Sequence, residues 1–476
     1  MKVYSQACFI SVPCLPRAIL LRQNILLLLT GLFFSCSSLA QTTVPLSDLS
    51  AFNNPPASWS LAGDAFANIN QNGMLTTVGG YGILVNNPAN QTAGDLVTKA
   101  EYGDIDLEFD YLLAKGANSG IYLQDRYEIQ LMDSWGVKTP TYSDNGGIYE
   151  RWDESRGKGH EGYEGYAPRQ NASKAPGLWQ HLKVSFQAPR FDAGGHKTEN
   201  AKMLRIELNG VLIHEDVELE GPTRGAVSNG EAALAPLRFQ GSFGAVAFRN
   251  ITITSFNKPK PQITNIKYAL YKGNIQSAGT GSIKPATAGS LPTLSAGMIH
   301  VLPTEYYIRY TGTLKITEPG AYSFLPYVFA GQGDMTINGQ RLKPVEGKGG
   351  RSVISLPAGE LPFELLLTKT RNFSNAALGL KIAGPGIREY FVGDEAALTP
   401  AGGADPIFVN ASENTILRSF MDLNDTLRLT HAVNVGSPQQ IHYTYDLEKG
   451  FIAQVWRGGF LDASPMWIGR GDGSSR

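Results

Sequence analysis

The feature that most constrains the fold of this chain is an alternation of apolar and polar residues in short runs separated by turn residues. Clear examples are 105–113, 127–132, 181–186 and 203–208. Period-two alternation places the apolar side chains on one face, which is typical of antiparallel strands with one buried face. The 53 glycines and 27 prolines fit a turn-rich β protein. The sequence therefore predicts an all-β protein.

The length of the chain and its breaks predict several domains. A chain of 476 residues exceeds what one hydrophobic core usually organises. Lys258-Pro-Lys-Pro261 interrupts strand pairing, and a glycine-rich stretch at 401–404 marks a second break. The predicted divisions are a leader at 1–40, a first β unit at 46–256, a linker at 257–262, a second β-sandwich at 263–395 and a partial third β unit at 405–476. The sequence assigns no function to the third unit.

Two local features of the first unit stand out. Asn209-Gly210 lies between two alternating runs, and Asn-Gly fits the type I′ turn of a β-hairpin. The stretch from Asp133 to Leu178 is long, rich in glycine and aromatic residues, and lacks a sustained period. Loops of this length are usually functional or mobile.

The N-terminal 40 residues have the pattern of a signal peptide. Basic residues precede an apolar run at 24–34, and Ser38-Leu-Ala40 resembles a cleavage site. The run is too short to span a bilayer. We expect cleavage after Ala40 and export to the periplasm, the cell surface or the medium, with no transmembrane span afterwards. An alternative is lipoprotein processing, with a lipid anchor at Cys36.

Charge, cysteine usage and motifs exclude several functions. The net charge of −1 offers no basic field for nucleic acid. All three cysteines lie in the predicted leader, so the mature chain has no thiol chemistry. Motifs of metalloproteases, serine hydrolases and nucleotide-binding proteins are missing. The sequence specifies no cofactor, although a divalent metal such as calcium, bound by loop oxygens, would leave little trace.

Polar and aromatic residues are densest between 116 and 135. If 127–132 is a strand, Glu128 and Gln130 project to one face, close to Arg126 and Asp133. On a concave face, carboxylate and amide groups bind sugar hydroxyls. The alternative is an outer sheet face that only meets water.

Aromatic and acid–base candidates surround this row. Rings that could stack on a sugar belong to Tyr122, Trp135, Tyr149 and Trp152. Glu150 is a candidate acid or base, and His160 in the long stretch is a candidate base near neutral pH. The alternatives are a solvated or capping carboxylate at Glu150 and an exposed loop histidine at His160.

Ordered motifs of the first unit resemble the 3-keto-disaccharide hydrolase family. In chain order they are Asn118-Ser-Gly-Ile-Tyr, Arg126-Tyr-Glu-Ile-Gln-Leu-Met-Asp133, Gly146-Gly-Ile-Tyr149, Asn171-Ala-Ser-Lys-Ala-Pro-Gly-Leu-Trp-Gln180, Leu208-Asn-Gly-Val-Leu212, Gly221-Pro-Thr223 and Phe248-Arg-Asn-Ile251. The resemblance spans about 51–256. It implies a concanavalin A-like jelly-roll sandwich that acts on glycosides oxidised to a ketone at sugar C3. A base would remove the C2 proton and the C1 substituent would leave by β-elimination, with later addition of water.

The resemblance also implies roles for individual residues. Carried onto this chain, a sugar pocket would be lined by Asn118, Arg126, Glu128, Gln130 and Asp133, with Arg249 near its rim. The acid and the base stay unassigned among Glu128, Glu150 and His160. Many members of the family have a Gln-His-Gly-type turn where this chain reads Phe239-Gln-Gly-Ser-Phe-Gly244, so a role carried by that histidine is missing here.

The second unit is similar to the carbohydrate-binding module first described in anthrax protective antigen. Its motifs are Tyr310-Thr-Gly-Thr-Leu, Gly320-Ala-Tyr-Ser-Phe, Met335-Thr-Ile-Asn-Gly and Leu356-Pro-Ala-Gly359. Sugar-binding members hold calcium with an adjacent acidic pair, whereas the comparable loop here has only Asp334. The alternative role for this unit is a spacer or packing partner.

Three functions remain open from the sequence. The first is an exported enzyme that cleaves 3-keto-glycosides or 3-keto-disaccharides by hydrolysis or elimination. The second is a glycan-binding protein that uses the same concave face without catalysis, because β-sandwiches also serve as lectins. The third is a cell-envelope scaffold.

Overall fold

The structure is a computed structural model that describes residues 41–88, 93–273, 284–299, 305–329, 331–342, 351–369, 376–394, 407–424, 427–468 and 473–475. The predicted leader with Cys36, and the predicted break at 401–404, lie outside these residues. In the described part nearly all of the regular secondary structure is strand, which confirms the all-β prediction. No helix of that part is long and apolar enough to cross a membrane.

The first unit is built from two main antiparallel sheets and two small two-stranded sheets. Its strands are β1 (Gln41–Thr43), β2 (Phe52–Asn53), β3 (Trp59–Phe66), β4 (Thr76–Asn86), β5 (Leu96–Tyr102), β6 (Ile105–Leu113), β7 (Asn118–Leu123), β8 (Tyr127–Met132), β9 (Arg151–Trp152), β10 (Gly162–Tyr163), β11 (Gln180–Gln187), β12 (Arg190–Phe191), β13 (Lys197–Glu199), β14 (Ala201–Leu208), β15 (Val211–Leu219), β16 (Ala235–Phe239) and β17 (Val246–Ser255). The larger sheet has the order β15-β14-β11-β6-β17-β4-β3, with β1 also paired to β17. The smaller sheet has the order β2-β5-β16-β7-β8.

The two sheets pack face to face through aromatic side chains. Phe239 of the smaller sheet meets Phe248 of the larger one with ring centroids 5.0 Å apart, and Tyr127 meets Phe186 at 5.5 Å. All four side chains are buried in one hydrophobic cluster. Such inward rows follow directly from the period-two pattern. The first unit is therefore a β-sandwich, and each sheet also has an outer face.

The Asn-Gly turn is present as expected. β14 and β15 pair with Leu208 opposite Val211, and both turn residues have positive φ, 55° at Asn209 and 79° at Gly210. These values match the type I′ hairpin that the dipeptide predicts. By contrast, the stretch from 133 to 178 contains only short elements: β9, β10 and a 3-10 helix at Glu154–Arg156.

The second unit is also a pair of antiparallel sheets around its own core. Its strands are β18 (Gln262–Lys272), β19 (Thr287–Ser290), β20 (Tyr306–Ile316), β21 (Gly320–Phe329), β22 (Gly331–Ile337), β23 (Gln340–Arg341), β24 (Ser352–Leu356), β25 (Gly359–Lys369), β26 (Ala377–Gly384) and β27 (Ile387–Gly393). The sheet orders are β19-β18-β20-β25-β22-β23 and β24-β21-β26-β27. Asp334 forms an ion pair with Arg341, so its carboxylate is already engaged by a cation.

The third unit has a smaller core. Its elements are β28 (Phe408–Val409), β29 (Thr415–Asn424), β30 (Leu427–Gly436), β31 (Ile441–Asp446), β32 (Phe451–Arg457), β33 (Leu461–Asp462) and α1 (Ser464–Ile468). β29 to β32 form one sheet in chain order, and β28 pairs with β33. Five buried apolar residues form its cluster, among them Met421 and Phe460.

Candidate functional site

The predicted polar row lies on the outer face of the smaller sheet. In β8, Ile129 points into the core, whereas Glu128 and Gln130 point outward, as the alternation predicted. Across the sheet Glu128 lies opposite Tyr122 of β7, and Tyr122 lies opposite Arg238 of β16. Three adjacent strands therefore present a row of polar side chains.

The outer edge of β8 is covered by two segments of chain. The Gln130 N–H donates to the Gly147 carbonyl at 2.9 Å, and the Tyr149 N–H donates to the Glu128 carbonyl at 3.1 Å. The Glu128 N–H donates to Thr223 Oγ1 at 3.0 Å. Residues 146–149 and Thr223 thus satisfy backbone groups that an edge strand would leave to water. This covering excludes water from the Glu128 side chain.

A buried histidine fixes the first of these segments. His214 Nε2 donates to the Gly146 carbonyl at 2.8 Å. Burial lowers the pKa of His214 to about 4, so the imidazole is neutral near pH 7. The buried imidazole therefore holds the covering segment at Gly146.

The Glu128 carboxylate is the most buried acid of the site, with 1% of the residue exposed. Its Oε2 accepts a hydrogen bond from the Tyr122 hydroxyl at 2.6 Å, and its Oε1 accepts one from Gln240 Nε2 at 3.1 Å. Burial raises the pKa of Glu128 to about 7, against the opposing effect of these bonds and of Arg238. A carboxyl group with this pKa can exchange a proton at neutral pH, as an acid–base catalyst requires.

Gly120 makes room for that carboxylate. Gly120 lies on β7, opposite Gln130 of β8, and a Cβ placed on it would collide with Glu128 Oε1. The Glu128 carboxylate fills the space that a side chain at Gly120 would take. On the other side of Gly120, the backbone N–H of Gln240 donates to the Gly120 carbonyl at 2.9 Å. The glycine therefore serves as the floor of the site.

Three amide oxygens around this floor are buried and lack a hydrogen-bond partner among the described residues. They belong to Asn118, Gln130 and Gln240. A buried acceptor without a donor is costly and usually marks a missing water or ligand. Sugar hydroxyls are donors of the required kind. The site can therefore accept hydroxyl groups beside an ionisable carboxylate.

A second acidic residue lies in the covering stretch. Glu150 Oε2 accepts from the Tyr142 hydroxyl at 2.7 Å, and its Oε1 pairs with Arg224 Nη1 at 3.2 Å. The Arg224 guanidinium also stacks on the Trp152 ring, 3.7 Å from the ring centre. Both carboxylate oxygens of Glu150 are thus engaged. Tyr149, through its backbone bond to Glu128, connects this cluster to the polar row.

The side chains of two predicted pocket residues form hydrogen bonds with backbone groups. Arg126 lies in the turn between β7 and β8, and its guanidinium donates to the carbonyls of Gln124 and Gly230. Asp133 follows the other end of β8 and accepts from the Gly116 N–H at 2.9 Å. Each therefore lies at one end of β8 with its polar atoms bound to loops.

The remaining predicted residues differ in how far they are exposed to solvent. Trp135 is 59% exposed, and His160 is exposed in the loop after the 3-10 helix. Tyr122 is buried, and the Arg238 guanidinium lies 3.8 Å from the centre of its ring. That face of Tyr122 is consequently closed to a sugar, and its hydroxyl is the part that reaches the site.

The predicted position of Arg249 needs correction. Arg249 lies on β17 of the larger sheet, where its Nε donates to Asp110 at 3.1 Å and its guanidinium stacks on Trp179. The neighbouring Phe248 points into the core between the sheets, so alternation sends Arg249 to the outer face of the larger sheet. It therefore lies on the face opposite to the Glu128 row and not at its rim.

Sequence reasoning missed the contribution of β16. The run Ala235-Pro-Leu-Arg-Phe-Gln240 alternates, with Leu237 and Phe239 buried in the core and Arg238 and Gln240 on the outer face. The alternation could have identified the strand. Its pairing with β7, more than 100 residues away, is what places the two polar side chains at Glu128.

No group of three or more histidine, cysteine, aspartate or glutamate residues in the described ranges is arranged to hold a metal ion.

A glycine substitution tests the floor of the site. Gly120→Ala is expected to lower turnover about 10²-fold, because its Cβ displaces the Glu128 carboxylate by roughly an ångström. Gly79→Ala on β4 is the control, since a Cβ there meets nothing within 4 Å. Turnover and circular dichroism of both variants check the prediction. Equal turnover in the two folded variants would remove Gly120 from the site.

One family model matches the first unit. Residues 47–254 match the family model of the 3-keto-alpha-glucoside-1,2-lyase-like domain, which confirms the resemblance carried by the motifs. No match was found among curated proteins. The resemblance of the second unit to the protective-antigen module stays a prediction.

Several solved structures are similar to part of the chain. A candidate glycosyl hydrolase from Parabacteroides distasonis is 20% identical over 44% of this chain and 82% of its own, with a TM-score of 0.31. A second structure of that description from the same organism is 20% identical over 44% of this chain and 98% of its own, with a TM-score of 0.29. The carbohydrate-binding module CBM66 from Bacillus subtilis is 14% identical over 43% of this chain and 99% of its own, with a TM-score of 0.20.

Proposed function

We propose, from a first unit that matches the 3-keto-alpha-glucoside-1,2-lyase-like family, that this protein is an exported carbohydrate-active enzyme that cleaves glycosides bearing a ketone at C3. The observation that carries the proposal is Glu128, a buried carboxyl with a pKa of about 7 beside unpartnered amide oxygens. Export rests on the signal-peptide pattern of the first 40 residues.

The reaction follows from the acidity of the carbon next to a ketone. A carbonyl at C3 stabilises the carbanion at C2, so a carboxylate can remove the C2 proton. The electron pair of the C2–H bond then forms a C1=C2 double bond, and the C1–O bond breaks with its pair leaving on oxygen, which is protonated. Addition of water across C1=C2 would complete net hydrolysis.

Glu128 is the base we assign to this step. Its pKa of about 7 leaves a large ionised fraction at neutral pH and gives the carboxylate more basicity than an exposed glutamate has. The Tyr122 hydroxyl, 2.6 Å from Oε2, orients the carboxylate. The amides of Gln130 and Gln240 flank Gly120, and a sugar ring bound beside the Glu128 carboxylate would place its hydroxyls on their oxygens. The active form is the carboxylate, so kcat/KM rises with pH through about 7.

Entry of the substrate requires movement of the covering chain. Glu128 is 1% exposed, and Gly225 is so close to Tyr122 that a Cβ on it would lie 2.7 Å from the phenol oxygen. Thr223 holds this segment to β8 through the Glu128 N–H. A sugar therefore reaches Gly120 when residues 223–225 shift outward, and their return would exclude water from the carbanion.

A matched pair of substrates tests the function. Purified 41–476 is expected to release sugar from a 3-keto-disaccharide and to leave its unoxidised parent intact, because only the ketone acidifies the C2 proton. Product analysis with and without divalent metal makes the measurement. Cleavage of both disaccharides at similar rates would contradict elimination and favour ordinary glycoside hydrolysis.

The second candidate function is glycan binding without catalysis. The unpartnered amide oxygens of Asn118, Gln130 and Gln240 favour it, because they could bind hydroxyls with no proton transfer. Inertness towards both disaccharides together with binding measured by calorimetry would support this alternative over the enzyme.

A further inference from the structure

Arg238 is the cation nearest the centre of the polar row, and its side chain is only 14% exposed. It lies opposite Tyr122 on the neighbouring strand, with its guanidinium 3.8 Å from the centre of the tyrosine ring. Guanidinium groups at this distance bind the negative face of an aromatic ring. Arg238 thus packs directly behind the phenol that contacts Glu128.

The guanidinium of Arg238 joins three separate segments of chain. Its Nη1 donates to Asp95 Oδ2 at 2.8 Å, just before β5. Its Nε pairs with Asp125 in the turn between β7 and β8, and its Nη2 donates to the Gly225 carbonyl at 2.6 Å. The two hydrogen bonds and the ion pair use three nitrogens of a planar guanidinium, a geometry that lysine lacks. One face of the Tyr122 ring is consequently packed against a guanidinium whose position these contacts fix.

Tyr122 transmits this placement to Glu128. Its hydroxyl donates to Glu128 Oε2 at 2.6 Å and lies 3.3 Å from the Arg224 carbonyl. A tilt of the ring would lengthen the bond to the carboxylate. Arg238 therefore positions the carboxylate through Tyr122, in addition to the direct effect of its charge on Glu128.

The charges around Glu128 oppose one another. Arg238 favours the ionised carboxylate, whereas Asp95 disfavours it. From the covering segments the groups that face the same region are Tyr149, and beyond it Glu150 paired with Arg224. Gln240 and Thr223 contribute neutral hydrogen bonds. Removal of Arg238 and removal of Asp95 should thus move the proton affinity of Glu128 in opposite directions.

We propose that Arg238 is a positioning residue of this site: with Asp95 and Asp125 it fixes the Tyr122 phenol on the Glu128 carboxylate and balances the charge that the carboxylate experiences. The role in turnover rests on the proposed function, whereas the effect on Glu128 does not. This arrangement lets the buried Glu128 carboxylate act as a base near neutral pH.

The test measures Glu128 directly in the full chain. Protein labelled with 13C at the glutamate carboxyl is titrated by NMR, and the signal that titrates near neutral pH is assigned by its loss in Glu128→Gln. Arg238→Met is expected to raise the midpoint by about one pH unit or more, and Asp95→Asn to lower it by up to about one unit. The amide introduced by Asp95→Asn would keep a side-chain oxygen to accept from the Gly241 N–H, a bond of 3.0 Å in the wild type.

Opposite shifts support the proposal, because a purely structural role would move the two midpoints together or leave both unchanged; either of those results overturns it. If Arg238→Met does not fold, Arg238→Lys and Asp95→Asn carry the test, with a smaller upward shift expected for lysine. Lack of turnover on the keto-disaccharide with the NMR shifts intact would reject the proposed function and leave this inference standing.

Discussion

Glu128→Gln is expected to lower kcat on a 3-keto-disaccharide by about 10³-fold, the contribution that a positioned general base typically makes. Glutamine keeps the shape of the side chain and can still accept from the Tyr122 hydroxyl. Its new N–H group can be satisfied by rotation of the Gln240 amide, whose oxygen has no partner among the described residues. The loss would thus reflect the missing base and not a broken site.

The matched control is Glu108→Gln. Glu108 lies on β6 of the larger sheet, with its half-exposed side chain near His181 and Lys183. It is a strand carboxylate on the other outer face, so its neutralisation should leave turnover unchanged. Substrate affinity, measured for the Glu128→Gln protein, should change little. Full turnover in Glu128→Gln would assign the base elsewhere, with Glu150 the next residue to replace.

The same substitution is expected to stabilise the first unit at alkaline pH. The pKa of Glu128 is raised from 4.5 to about 7 in the folded protein, so folding holds the proton that the unfolded chain releases. Stability is therefore lost as pH rises from about 4.5 to about 7. A shift of this size corresponds to about 3 kcal/mol in the free energy of unfolding. Glutamine carries no charge and avoids that loss.

The measurement compares wild type and Glu128→Gln in urea at pH 4 and pH 8. Exchange of the buried amides of β7 and β8 reports the first unit separately from the others. The gain from Glu128→Gln should be about 3 kcal/mol larger at pH 8 than at pH 4, while Glu108→Gln shows less than about 1 kcal/mol of such dependence. An equal effect at both pH values would mean that Glu128 titrates normally.

The sequence by itself predicted several of the strands, among them 105–113 and 127–132, and which face of each is buried. Period-two alternation is a local property, so it correctly sent Ile129 to the core and Glu128 and Gln130 outward. The hairpin at Asn209-Gly210 followed from the positive φ that these residues tolerate. The family resemblance of the first unit was likewise readable from motifs in order.

Only the tertiary structure decided which outer face each residue shares. Arg249 and Glu128 are both outward in their strands, yet they lie on opposite sides of the sandwich because β17 and β8 belong to different sheets. Arg238 and Gln240 reach Glu128 because β16 pairs with β7 across more than 100 residues. Alternation fixes a side chain within its strand, whereas strand pairing is a long-range choice that lowers the free energy of the whole core. That pairing also buried Glu128, and burial is what raises its pKa to about 7.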